Sequence, residues 1–155
     1  MDNRKARLLL QNYCAKGERC HFDLRQKLRD WQIARDDADE LIAELISDNF
    51  LNEQRYANAF AHDKFYLQQW GRGKITQHLQ QKQVSAACIA EALSRINADD
   101  YRQTAHELAQ RKAKQLGKEQ LPPTRRQKIA NFLLQRGFEP DIAWEAAKEQ
   151  SSREK

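Results

Sequence analysis

The chain has 155 residues, 40% of them hydrophobic and 32% charged, with a formal net charge of +5. That length admits one ordinary domain, or three modules of about 50 residues that depend on one another for burial. No stretch approaches the roughly 18 unbroken apolar residues of a membrane span, and the start, MDNRKARLLLQNY, shows neither the apolar run nor the cleavage site of a secretory leader, so the expected location is the cytoplasm, away from membranes.

Glycine and proline are scarce, five and three, and fall almost entirely between segments of helical period. The pattern predicts an all-α chain. One spacing occurs three times: apolar, three residues, apolar, two residues, Trp/Lys/Arg, one residue, apolar. It runs through Leu24, Leu28, Trp31 and Ile33, then Ile75, Leu79, Lys82 and Val84, then Ile129, Leu133, Arg136 and Phe138. A repeat at this period marks small units stacked in tandem. Matched apolar positions follow each copy, Leu41, Ile42 and Leu45 in the first and Ala92, Leu93 and Ile96 in the second. In the third they fade to Ala146 and Ala147, as a terminal repeat allows. The expected architecture is a tandem array of three three-helix repeat modules, elongated and curved, spanning 1–50, 51–98 and 99–150, with a disordered tail at 151–155.

In chain order, Leu8, Leu9 and Tyr13 are expected on one face of a first helix, and Phe22, Leu24 and Leu28 on a second. Ala38, Leu41, Ile42, Leu45 and Ile46 form the stripe of a third. Asp36 and Asp37 are the expected caps of that third helix, with Asp39 and Glu40 in its first turn. Asn52 caps a longer helix from near Glu53, and Ser85 caps a later one. The Asp99-Asp100 pair is the expected cap of a helix from near Tyr101, and Leu116 to Leu121 reads as a loop ahead of Pro122-Pro123. Gly137 links to a helix whose first turn holds Pro140.

Cys14, Cys20 and Cys88 are an odd number without an export signal, and their separations match no zinc pattern. They are read as free thiols, with no metal and no cofactor expected. His21, His62, His78 and His106 share no partner, and no nucleophile, base and orienting group lie close in sequence. The chain is not expected to be an enzyme. Trp31, Tyr56, Phe60, Phe65, Tyr66, Trp70, Phe132 and Trp144 fall mostly at core-facing positions, with Trp70 the best placed to stack on a base.

Charge is unevenly spread. Residues 1–50 carry 9 bases and 10 acids, 51–100 carry 6 and 5, and 101–155 carry 12 and 7. From Arg102 to Arg136 nine bases face only Glu107 and Glu119, a cluster suited to phosphates or an acidic protein surface. The acidic run Asp36, Asp37, Asp39, Glu40, Glu44 and Asp48 reads as the solvated face of one helix. Gln69-Trp70-Gly71-Arg72-Gly73-Lys74 is the one place where glycines and bases meet at a helix start. It reads mainly as a hinge, although its N–H groups offer a cradle for a phosphate.

The stretch Phe50-Leu51-Asn52-Glu53-Gln54-Arg55-Tyr56-Ala57, then Phe60, Trp70-Gly71-Arg72-Gly73-Lys74-Ile75 and Leu79-Gln80-Gln81-Lys82-Gln83-Val84, resembles the central motif of the RecX regulatory proteins. Asp23-Leu24-Arg25-Gln26-Lys27-Leu28 is similar to that family's ELRxKL segment. The family usually has glycine before the last apolar residue of each repeat signature. Here that position is Gln32 and Gln83, and only Gly137 keeps it, so the first two turns need a left-handed non-glycine residue.

The resemblance implies a regulator that binds the filament of the RecA recombinase on single-stranded DNA and inhibits its ATP hydrolysis, strand exchange and co-protease activity. The implied partners are that filament and single- and double-stranded DNA, met by a monomer. The residues expected to meet them are Arg25, Lys27, Arg72, Lys74, Lys82, Arg111, Lys112, Lys114, Arg125, Arg126 and Lys128. The alternative is an autonomous helical DNA- or RNA-binding protein that acts by competing for the strand, motivated by the basic stretch and the short helical trios.

Overall fold

The computed structural model describes residues 1–117 and 121–153, and the described residues fold into nine helices without a strand. In order these are α1 (Asn3–Ala15), α2 (His21–Asp30), α3 (Arg35–Ser47), α4 (Glu53–Tyr66), α5 (Arg72–Gln81), α6 (Ala86–Ser94), α7 (Ala98–Leu116), α8 (Pro122–Gln135) and α9 (Pro140–Arg153). The all-α expectation holds. No described helix is long and apolar enough to cross a membrane.

The recurring signature has a single structural cause, the way α2, α5 and α8 stop. The N–H of the residue that closes each signature returns to the carbonyl five residues back: Ile33 to Leu28 at 3.0 Å, Val84 to Leu79 at 3.1 Å and Phe138 to Leu133 at 3.1 Å. The N–H one residue earlier bonds to the carbonyl three back, Gln32 to Arg29, Gln83 to Gln80 and Gly137 to Leu134. These two bonds define the Schellman stop, which places its penultimate residue in left-handed backbone and seats an apolar side chain against the last turn. The φ angles are 59° at Gln32, 60° at Gln83 and 99° at Gly137. The glutamines therefore occupy the conformation that their position demands. Asn49 ends α3 in the same way, with φ 64° and Phe50 N–H on the Leu45 carbonyl.

By compactness the chain divides into two units, Met1–Phe60 with His78–Ala92, and Ala61–Gln77 with Leu93–Lys155. In the first, Ala6, Leu10, Leu24, Leu28, Leu41, Leu45 and Leu51 close a core against which Tyr13, Trp31 and Ile33 are half-buried. Two expected faces shift here. Leu8 is 55% exposed and Leu9 also faces outward, because Ala6 and Leu10 point inward; a run of three leucines does not reveal its own register. Ile46 likewise lies outside the stripe of α3, which buries Ala38, Leu41, Ile42 and Leu45.

In the second unit α7, α8 and α9 pack on one another. Tyr101, Leu108, Ile129, Leu133, Ala143, Ala146 and Ala147 are all buried there. The alanines that look like a fading repeat are thus a packing stripe: small side chains bring helices close. Phe65 and Phe138 stack around the Tyr101 ring, with centroids 5.5 and 5.0 Å away.

Several helix ends differ from expectation. Ala34 precedes α3 without a side-chain cap, and Asp36 and Asp37 lie inside its first turn, where they complement the N-terminal partial charge. Asn97, not the aspartate pair, caps α7 by accepting the Asp100 N–H at 2.9 Å. Asn52 and Ser85 cap as expected, accepting the N–H of Arg55 and of Cys88. Leu116 still belongs to α7, and the proline pair opens α8 as its first two residues, where missing N–H groups cost nothing. Residues 118–120 of the expected loop lie outside the described residues. α9 continues to Arg153, so 151–153 of the expected tail are helical.

Candidate partner-binding surface

At the glycine-rich start of α5, the backbone donors decide whether the segment can hold an anion. Gly71 N–H donates to the Arg136 carbonyl at 2.8 Å and Gly73 N–H to the Gly137 carbonyl at 2.9 Å. Arg72 N–H donates to the Tyr101 hydroxyl at 2.9 Å. All three donors are spent on the chain itself, so the phosphate-cradle expectation fails. The glycines answer a packing demand instead. A Cβ on Gly71 would run into the Gly137 carbonyl carbon and the Phe138 nitrogen, and one on Gly137 would strike the Lys74 nitrogen.

A polar cluster completes this junction. The Tyr101 hydroxyl donates to Glu139 Oε1 at 2.5 Å while accepting from Arg72, and burial together with that carboxylate raises its pKa. The Arg72 guanidinium pairs with Glu139 at 2.7 Å and lies 3.9 Å over the Tyr101 ring. Arg136 reaches back to the carbonyls of Gln68 and Gln69, and burial lowers its pKa, with Arg111 adding repulsion. Arg72 is thus committed to the fold. Lys74 lies 4.3 Å over the Trp70 ring, which also carries Lys64, so Trp70 is occupied by cations.

The basic stretch separates into different roles. Arg125 is only 4% exposed, donating to the Gly117 and Ala113 carbonyls, each at 2.7 Å. It satisfies the end of α7, as a cation near a helix C-terminus should, and this withdraws it from the contact set. Arg126 is half-buried beside Ser151. Arg111, Lys114 and Lys128 are exposed. Lys112 and Lys128 share a cleft of about 340 Å³ with Asn131, Phe132 and Gln135, and the Lys112 ammonium stands 5.2 Å over the Phe132 ring. Two cations and an aromatic ring in one groove is an arrangement that takes phosphates with a base beside them. Phe132, expected in the core, is half-buried in this groove, because helical spacing alone does not separate a core face from a groove wall. Tyr66 and Trp144, also expected inside, are 39% and 41% exposed.

In the first unit, Arg25 pairs with Asp39 at 2.7 Å and Lys82 with Asp23 at 2.8 Å. The Asp23 hydrogen bond raises the Lys82 pKa. Lys27 lies 4.4 Å over the Tyr13 ring. Arg29 and Arg35, absent from the expected set, line a second cleft with Arg25; their signal was their spacing around the first repeat signature.

The helical trio from α4 to α6 matches, over residues 52–93, a family model described as the second three-helix domain of RecX, and residues 99–147 match the one described as its third three-helix domain. The chain belongs to the RecX family. It is 38% identical over 102 residues to the regulatory protein RecX of Clostridium botulinum strain Alaska E43, covering 65% of this chain and 47% of that one. With RecX of Clostridium perfringens strain 13 it shares 33% over 120 residues, 77% of this chain and 56% of the relative. The chain thus spans about half the length of these clostridial relatives. RecX of Haemophilus influenzae strain PittEE is 28% identical, with 84% of each chain covered. In fold, the crystal structure of RecX from Lactobacillus salivarius superposes with a TM-score of 0.87 at 23% identity, covering 95% of both chains.

Proposed function

We propose that this RecX-family protein binds, as a monomer, the RecA filament on single-stranded DNA and restrains its ATP hydrolysis, strand exchange and co-protease activity. The observation that carries this is family membership across the second and third trios, whose glycine junction is fully built here. The contact residues retained are Lys74, Arg111, Lys112, Lys114, Arg126 and Lys128 in the second unit and Arg25, Lys27 and Lys82 in the first. Among the described residues, no ion pair engages Arg111, Lys112, Lys114 or Lys128, so their charge remains available to a partner.

A second reading, an autonomous nucleic-acid binder, draws its support from the groove that joins Lys112 and Lys128 to Phe132. The two separate in one measurement, single-strand-dependent ATPase of the cognate RecA with added protein, at fixed DNA and with DNA in large excess. A filament regulator inhibits well below one copy per recombinase subunit and keeps inhibiting when DNA is in excess. Recovery of ATPase with excess DNA establishes simple competition for the strand.

A further inference from the structure

α2 and α3 enclose a cleft of about 660 Å³. Its floor is aliphatic, made by Leu28, Ile33 and Ala38, and its rim carries Arg25, Arg29 and Arg35. Arg25 and Arg29 are one turn apart on α2, and Arg35 is the first residue of α3. Arg29 and Arg35 are exposed, and among the described residues neither takes part in an ion pair; Arg29 donates only to the neutral Gln26 amide, at 3.0 Å. Asp39 is the acid at the rim. It holds Arg25, but both side chains remain substantially in water, so the pair exchanges readily for another carboxylate.

We propose that this cleft docks a segment of a protein partner in which one apolar side chain is flanked by carboxylates. The guanidinium fork matches a carboxylate in two parallel hydrogen bonds, and three forks around one opening fix the direction of an acidic strand or helix. The floor selects against nucleic acid. Bases stack on aromatic rings, none of which lines this cleft, and a sugar-phosphate backbone would leave the aliphatic floor wet. An aliphatic or aromatic side chain fills it and releases that water, while the arginines hold the flanking charges, the usual composition of an interface anchor. The Lys112–Lys128 groove, with its aromatic wall, has the opposite character.

The test uses the full chain and a short fluorescein-labelled peptide in which a central leucine is flanked on each side by a pair of glutamates. Anisotropy should show saturable binding, weakened about tenfold or more by Arg29→Glu with Arg35→Glu, two exposed positions, at unchanged helicity. Replacing the peptide's leucine by serine should weaken binding comparably, an arm that leaves the protein untouched. Absence of peptide binding, equal affinity for the serine peptide, or unchanged affinity in the variant overturns the proposal. So does loss of oligothymidylate binding in the same variant, which would reassign the cleft to nucleic acid. No recombinase is present in this assay, so its failure and failure of the ATPase test are separate results.

Discussion

Gln32 and Gln83 sit where the family usually places glycine, and both hold the left-handed backbone that their helix stops require. An L side chain enters that region at a cost of roughly 1–2 kcal/mol, of which a freer unfolded chain takes back a part after substitution by glycine. Gln32→Gly and Gln83→Gly are each expected to raise the urea midpoint, by an amount equivalent to about 0.5–1 kcal/mol. Arg125 makes the opposite case. Arg125→Ala uncovers two carbonyls at the end of α7 and should cost about 2–4 kcal/mol in equilibrium unfolding, where Arg126→Ala is nearly neutral. Cys20 links stability to pH. Burial pushes its thiol up to about 11 from 9.0. The native state therefore keeps a proton that the unfolded chain gives up above pH 9, so stability is full below that and falls as pH rises from 9 toward 11. Tyr101, also raised, acts in the same direction. Thermal midpoints of Cys20→Ala should decline less steeply over that interval than those of the parent.

Among elements, the α5 start and the α8–α9 turn meet backbone to backbone, with no room for a side chain at Gly71. Gly71→Ala places a methyl group against backbone, not against a side chain that can swing away. It is expected to cost at least about 3 kcal/mol, read as a large drop in melting temperature with loss of the Tyr101 hydrogen bonds. This contact also marks the limit of what the sequence disclosed. Leu24, Leu28, Ile75, Leu79, Ile129 and Leu133 were legible as core because each belongs to a local signature with a local cause, a Schellman stop. The caps Asn52 and Ser85 were legible for the same reason. Leu8 and Leu9 were not, since the choice among three adjacent leucines is made by distant packing. Nor was the fate of the glycine-rich segment. Its sequence advertises free N–H groups, and the acceptors that consume them lie far along the chain, on the Tyr101 hydroxyl and the Arg136 and Gly137 carbonyls. Arg125 was unreadable on similar grounds: only the fold sets its guanidinium against the carbonyls of α7.

At the scale of the molecule, the formal charge of +5 gains meaning from where its bases are spent. Arg72, Arg125 and Arg136 are bound to the protein's own backbone or carboxylates, whereas Lys114 and Lys128 are left to solvent on α7 and α8 and Lys112 stands over the Phe132 ring. Reversing Lys114 and Lys128 to glutamate should weaken association with single-stranded DNA, bare or coated by the recombinase, and flatten its dependence on salt concentration by about two phosphate contacts, without altering the unfolding midpoint. A slope unchanged across a salt series would place the contact elsewhere.

The Gly71–Gly137 contact also limits how the trios can be exchanged. The three trios repeat in sequence, yet the first turn of α5 borrows its acceptors from the turn between α8 and α9, so the second and third trios are not interchangeable cassettes. A chimera that exchanges only one of them between relatives leaves a glycine facing a foreign side chain, or donors facing none. The natural unit of exchange runs from Trp70 through Phe138. The backbone-to-backbone joint ties the first turn of α5 to the α8–α9 turn, so an exchange that keeps the joint carries both.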